Sequence, residues 1–265
     1  MNVEKKNKIQ EKLDKITRKF WYYLIILLLW FFIPLYVSEN YDYTKITQIM
    51  NEALMYGLVP YTNIQPILHI IIVINVICIF VFKNKFKKIF NCWVAVNFLL
   101  VAFLQNIVLT SSFGLVILTS NLVLFVIVGI FWIWEFIVSK NDYEFKKVPL
   151  WKYWVVPLAV LAFWLPVDRA TGLPDFNPWY LLYSDSALAS CLITPIYLAV
   201  ISFILPKINK ATIRTTSFIG IIYGILNVGN IFSDPAHYWW VSIVHIPLLS
   251  ISLYCFFISI KKNGV

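Results

Sequence analysis

Residues Val126–Lys140 read VIVGIFWIWEFIVSK, a lipid-compatible run that carries a single acid, Glu135. A carboxylate deep in hydrocarbon marks a functional site, whereas one at the membrane rim marks a boundary. Extended backward, the run covers 114–138, long enough to cross a hydrocarbon core of about 30 Å at about 1.5 Å per residue. Glu135 then sits about 7 Å from Lys140 along the helix axis, at the rim and among Trp132 and Trp134. That position suits an ion pair with the lysines of Lys83–Lys88. The second reading is a gate or proton-coupling group at the closed end of a cavity.

Seven further apolar runs lie near 20–37, 63–82, 89–110, 151–166, 186–205, 214–232 and 238–260, the one at 151–166 being the weakest. Sixty per cent of the chain is hydrophobic and 13% charged, which excludes a soluble globular domain. The fold class this predicts is all-α: a polytopic integral membrane protein of about eight transmembrane helices. A basic tail at 1–19 precedes a single transmembrane domain at 20–265.

Lysine and arginine accumulate in short cytoplasmic loops. With the N-terminus placed inside, the tail holds Lys5, Lys6, Lys8, Lys12, Lys15, Arg18 and Lys19. The later inner segments hold Lys83, Lys85, Lys87 and Lys88, then Lys140, Lys146, Lys147 and Lys152, then Lys207, Lys210 and Arg214, then Lys261 and Lys262. Of the basic residues, Lys45 and Arg169 alone fall outside. The split predicts both termini in the cytoplasm and residence in the plasma (inner) membrane. It also accounts for the net charge of +9 without a nucleic-acid partner. The first run is not read as a cleaved leader, since its exit, IPLYVSEN, lacks small residues at the paired cleavage positions. Within the tail, Ile9, Leu13, Ile16 and Phe20 recur at helical spacing among lysines. That pattern suits a helix lying on anionic inner-leaflet lipids, or simply a solvated basic stop signal.

The halves 20–140 and 151–262 show a weak correspondence. FFIPLY aligns with FWLPVD (Pro34 with Pro166), NIQPIL with LITPIY (Pro66 with Pro195), and QNIV with GNIF (Asn106 with Asn230). Two parallel four-helix repeats would place a site between them. Each half also carries an outer insert. Ile46, Ile49, Met50, Ala53 and Leu54 repeat as an amphipathic helix that Gly57 can close, and Asn177-Pro178 signals a helix start before WYLLY.

Given that topology, intramembrane polar residues crowd the outer half: His69, Gln105, Asn106, Asn121, Asn230, His245 and, at a helix lip, Asp185. Each can be an ordinary interhelical hydrogen bond. As a set they suggest a polar cavity open to the outside that holds a small, anionic or amphiphilic ligand. Arg169 lies outside against the charge rule, with Asp168, Asp175 and Asp185 near it in sequence. It either orders its loop by pairing with an aspartate or clamps a ligand carboxylate or phosphate in two-pronged fashion.

His69 and His245 share a similar depth, so one metal or haem between them is conceivable. Intramembrane histidines are more usually hydrogen-bonded, and no cofactor is expected. The four cysteines stand singly and read as packing residues. Gly220 and Gly224 form a GxxxG pair that indicates close helix packing. No HExxH, GxSxG or GxxxxGK[ST] motif occurs, so the chain reads first as a transporter or binder. The alternatives are an intramembrane enzyme acting on a lipid or isoprenoid, for which His69, His237 and His245 with Asp185 or Asp234 offer enough zinc ligands, and an accessory subunit of a membrane complex.

Overall fold

The computed structural model describes residues 2–145, 148–169 and 171–261, with the side chain of His237 not described. Lys146, Lys147 and Lys262 of the charge pattern lie outside the described residues. The helices in chain order are α1 (Val3–Ile16), α2 (Phe20–Phe32), α3 (Ile46–Tyr56), α4 (Gln65–Phe82), α5 (Lys87–Leu104) and α6 (Thr119–Val138). They continue as α7 (Val155–Trp164), α8 (Tyr180–Tyr183), α9 (Ser190–Ile204), α10 (Lys210–Gly229) and α11 (Pro235–Ile260). Every apolar run of the sequence is thus largely helical, and the protein is all-α in character.

The helices are not eight uniform spans. Five are long and apolar enough to cross a membrane, six if α8 and α9, bent by 100° at a short break, count as one. Proline explains the two short ones. A residue before proline is driven out of the helical region. Accordingly Ile33, before Pro34, ends α2 in an extended conformation, and Leu165, before Pro166, ends α7 in the left-handed region (φ 49°).

A second departure lies at 107–117, assigned from the sequence to the ends of two helices. These residues form a β-hairpin, β2 (Ile107–Thr110) and β3 (Gly114–Ile117), onto which β1 (Tyr36–Val37) pairs antiparallel in the order β1-β3-β2. Hydropathy does not separate a short apolar strand from a helix end. β-branched residues around Ser-Ser-Phe-Gly favour the hairpin. Gly114 takes φ +62°, and a Cβ there would come 2.4 Å from Ser38 Oγ.

The amphipathic insert forms as expected. Ile49 and Ala53 of α3 pack with Val108, Phe113, Val116 and Leu118 into a small core of their own. Glu52 Oε1 accepts from Ser112 N–H and Ser111 Oγ, both at 3.2 Å, tying α3 to the hairpin tip. We call this unit the cap. Gly57 follows α3 because a Cβ there would meet the Ala53 carbonyl at 2.8 Å and Val108 at 2.9 Å.

The main core is built around α9, whose residues from Leu192 onward are buried on all sides, as expected of a helix apolar all round. The first half of α10 is equally enclosed despite Thr212, Thr215, Thr216 and Ser217, since three of these hydroxyls, on Thr215, Thr216 and Ser217, donate to carbonyls one turn back. The tightest helix pairs are α5 with α6 and α10 with α11. The GxxxG pair seats the second of these: a Cβ on Gly224 would lie 2.8 Å from Leu249 Cα, and one on Gly220 2.3 Å from Ser252 Oγ.

The basic segments gather at one end of the bundle, where α1 meets the 139–145 loop and the starts of α5 and α10. The cap and the 165–189 segment form the opposite end. Lys152 departs from the pattern of solvated basic residues. It is buried, with Nζ donating to the carbonyls of Ser202 (3.1 Å) and Leu205 (3.3 Å).

Gly224→Leu is expected to lower the folded yield and destabilise the protein by about 1–3 kcal/mol through overpacking against backbone. Gly229→Ala, with nothing within 4 Å of its new methyl, is expected to be neutral or stabilising. Thermal unfolding in detergent checks both.

Candidate functional site

Two polar constellations occupy opposite ends. At the cap end, the chain leaving α7 turns at Pro166 and is pinned by two indoles. Trp240 Nε1 donates to the Pro166 carbonyl (2.6 Å) and Trp164 Nε1 to the Asn177 carbonyl (2.9 Å). Asn177 Oδ1 in turn accepts from Trp179 N–H (3.0 Å) and opens the single turn of α8, so the expected second insert is present but short.

At Ser184-Asp185-Ser186, where one extended residue enters a 3-10 turn, the side chains divide between two partners. Asp185 forms an ion pair with Arg169. Ser184 and Ser186 reach His69 Nε2, at 3.2 and 2.8 Å. His69 Nδ1 lies 2.8 Å from the Gln65 carbonyl, which only accepts, so Nδ1 carries the proton and Nε2 accepts from a serine. Both serine hydroxyls also approach the Phe163 carbonyl, at 3.2 and 2.7 Å. Ser184 Oγ also lies 3.0 Å from Ser186 Oγ, and since each hydroxyl has one proton, the two serines share their donors among His69, Phe163 and each other.

A cavity of about 290 Å³ opens beside this segment, lined by Arg169, Asp185, Ser184, Tyr180, Tyr183, Thr62, Leu165, Val167, Val241, Val244 and His245. His245 Nδ1 lies 2.6 Å from the Val241 carbonyl and its Nε2 3.2 Å from Cys191 Sγ. Of the residues singled out in the sequence, the cavity brings together Arg169, Asp185 and His245, with His69 behind Ser184.

The others lie elsewhere. Gln105 Oε1 accepts from Ser190 N–H (3.0 Å) and caps α9. Asn106 closes α5, donating to the Val101 and Ala102 carbonyls. Asn121 Oδ1 accepts from Tyr223 OH (2.7 Å), and Asn230 is an exposed residue just past α10. Ser184, Ser186, Tyr180 and Tyr183 were not singled out in the sequence. Their one signal is a polar-every-residue stretch before an apolar helix, which acquires a direction only once the backbone is known to be extended at Ser184.

At the opposite end, Glu135 is fully buried, and its partners are amides rather than the lysines expected. Among the described residues it makes no ion pair. Lys83 instead pairs with Glu144 (3.8 Å) and Lys87 Nζ donates to the Ser139 carbonyl (3.1 Å). Glu135 Oε1 accepts from Asn91 Nδ2 (3.2 Å) and Asn141 N–H (2.8 Å), and Oε2 accepts from Asn209 Nδ2 (2.9 Å).

The amide orientations are fixed from outside. Thr212 N–H donates to Asn209 Oδ1, Trp134 Nε1 donates to Gln10 Oε1 (2.8 Å), and the Gln10 and Asn209 amides pair head to tail at 2.9 and 3.1 Å. Asn209 N–H donates to Asn141 Oδ1 (2.7 Å), while Tyr143 OH donates to Asn91 Oδ1 (2.7 Å) and receives Asn141 Nδ2 (3.3 Å). Nearby, Asp142 takes a hydrogen bond from Asn84 Nδ2 (2.7 Å) and pairs with Lys207 (3.4 Å). The Asn84 amide, followed by Lys207, holds the Asp142 carboxyl below its usual range.

Among the described residues no three His, Cys, Asp or Glu side chains cluster to hold a metal ion. The chain matches no protein-family model, no curated protein and no solved structure, so what these two constellations do has to be argued from their own chemistry.

Glu135→Gln places an NH2 against donors that cannot turn away, and Glu135→Leu leaves them unpartnered. Each unmatched buried group costs about 1–3 kcal/mol. Both variants are expected to melt earlier and to expose α1 to trypsin at Lys12 and Lys15, measured by thermal unfolding and limited proteolysis.

Proposed function

We propose that this protein is a multi-pass membrane transporter or receptor-like binder that takes up a small anionic or amphiphilic molecule at the cavity between α7, α8 and α11. The observation that carries the proposal is the Arg169–Asp185 ion pair in the cavity wall, partly open to solvent on both sides. A guanidinium can exchange one carboxylate for another, or for a phosphate, in two-pronged geometry. Asp185 then holds the clamp in place until a ligand anion displaces it, with His245 contributing a ring further along the wall. Gln65, whose side-chain amide is buried without a partner among the described residues, lies one turn from His69 and adds polar capacity at this end.

The same proposal has eight crossings with both termini on the cytoplasmic face of the plasma membrane. The gathering of basic segments at one end supports it, with the short α2 and α7 crossing where the bilayer thins or the helices are flanked by protein. Descent from a duplicated four-helix unit belongs to it as well. α5 with α6 and α10 with α11 are the equivalent pairs of the two halves and the two tightest. Pro34 and Pro166 both follow their helices, and Asn106 and Asn230 both close theirs. Against this, Pro66 opens α4 whereas Pro195 lies inside α9, and the cap helix α3 has only the single turn of α8 as its counterpart.

A second reading, an intramembrane enzyme acting on a lipid, is favoured by one observation. Ser186 and His69 form a hydroxyl–imidazole pair whose ring is oriented by a carbonyl, the arrangement a nucleophilic serine requires. An apolar groove of about 230 Å³ between α4, α7 and α9 adjoins it at Phe163. Covalent labelling by a fluorophosphonate, lost in Ser186→Ala, is the expected result on that reading.

The clamp gives opposite signs for its two partners. Arg169→Gln is expected to weaken uptake or binding across a panel of organic acids and phosphates by about tenfold or more, the worth of a charged hydrogen bond. Asp185→Asn frees the guanidinium and is expected to tighten binding. Equal losses in both variants would mean that the pair only orders its loop, and unchanged uptake in both would remove the cavity as the site. Asn121→Ala and Asn230→Ala, away from the cavity, serve as controls.

A further inference from the structure

At the basic end, a pocket of about 460 Å³ lies between α1, α10 and the end of α11, walled by Lys15 and Arg18, Lys210 and Arg214, and Lys261, with Glu11 and Asp14 beside them. Its floor is unusual. Arg214 is buried at 3% exposure, and its guanidinium is held by neutral acceptors. Nε and Nη2 donate to the Ser259 carbonyl (3.0 and 2.7 Å), and Nη1 donates to the Asp14 carbonyl (3.1 Å) and Thr17 Oγ1 (3.4 Å). Among the described residues no carboxylate lies at ion-pair distance from it. The nearest acid, Asp14, is committed to Lys140 (2.8 Å) and to Ala211 N–H (3.1 Å). A buried cation bonded to neutral acceptors, with its nearest carboxylate beyond ion-pair distance, leaves a positive potential in the space above it.

We propose that this pocket binds the phosphate of an anionic membrane lipid. The walls are fixed beforehand. α1 is anchored by the paired amides of Gln10 and Asn209 and by Tyr23 OH, which donates to the Thr17 carbonyl (2.5 Å). Arg18 and Lys261 are exposed and line the pocket. The level is that of lipid headgroups. α2 begins two residues after Arg18 with Phe20 and Trp21, which are 80% and 45% exposed and suit the boundary between acyl chains and water. Basic pockets between helices at a cytoplasmic face are where lipid phosphates bind, each surface cation adding to the attraction. The N-terminal helix is thereby one wall of a headgroup site instead of a loose basic tail.

The test uses the full chain in nanodiscs of phosphatidylcholine with and without phosphatidylglycerol, reading the phosphatidylglycerol retained by native mass spectrometry and the thermal midpoint. Wild type is expected to retain one phosphatidylglycerol and to melt later in its presence. Arg18→Gln with Lys261→Gln, both at exposed positions, is expected to bind it roughly thirty-fold more weakly. Lys8→Gln with Lys12→Gln, equally basic positions of α1 outside the pocket, is expected to retain it. Equal loss in both double variants, or no selective retention by wild type, overturns the proposal. So does stabilisation by inorganic phosphate in phosphatidylcholine alone that phosphatidylglycerol fails to reproduce, since the occupant would then be a soluble phosphate.

Discussion

The basic end of the molecule is organised by one acceptor. Both oxygens of Glu135 receive donors whose directions are set by groups that cannot rotate, namely the backbone N–H of Asn141 and Thr212 and the indole N–H of Trp134. Through them α6 is joined to α5 at Asn91, to the following loop at Asn141 and Tyr143, to the start of α10 at Asn209, and to α1 at Gln10. None of those segments neighbours all the others in sequence. In a low-dielectric surrounding such a network is valuable when complete and costly when broken. It holds the basic helices in register, and the basic pocket beside Arg214 depends on that register because α1 supplies one of its walls.

The two ends of the bundle treat charge differently. At the basic end a carboxylate and a guanidinium, Glu135 and Arg214, are each buried with neutral partners, and they serve separate constellations. At the cap end the one arginine meets an aspartate directly, at a place open to solvent. Buried groups satisfied by dipoles make rigid joints, whereas an exposed ion pair can be exchanged at small cost, because water and salt screen it. Structural fixation falls to Glu135 on that ground; the basic end has exposed pairs too, Lys83–Glu144, Lys140–Asp14 and Lys207–Asp142, and what sets Arg169–Asp185 apart as the proposed place of ligand exchange is that it lines the cavity at the cap end.

What the sequence revealed follows from whether the signal is periodic along the chain. The apolar runs, the amphipathic spacing of α3 and the close approach at Gly224 are all local and all legible. The hairpin at 107–117 was hidden because IVLT and GLVI are as apolar as the ends of transmembrane helices; only their β-branched residues and Gly114 distinguish them. Glu135 was read first as an ion-pair anchor to the lysines of Lys83–Lys88, whereas its partners are amides. Asparagine and glutamine are unremarkable singly, and Gln10, Asn91, Asn141 and Asn209 converge only through tertiary structure. At the cavity, Arg169, Asp185 and His245 were legible as out-of-place polarity. The serines that engage His69 were not, because the contact joins residues more than a hundred positions apart and nothing local to Ser184 and Ser186 points to it.

The cap has a core that shares no buried residue with the core of the bundle. Cooperative units of this size open independently of the body they rest on when few buried contacts bridge the two. The chain passes between the cap and the helices at Pro34, Gly57, Asn106 and Leu118, where Leu118 N–H donates to the Asn106 carbonyl. Two melting boundaries are the expected consequence: amides of Val108, Phe113 and Val116 should exchange with solvent hydrogen on the cap's own schedule, and those of α9 only when the whole bundle opens.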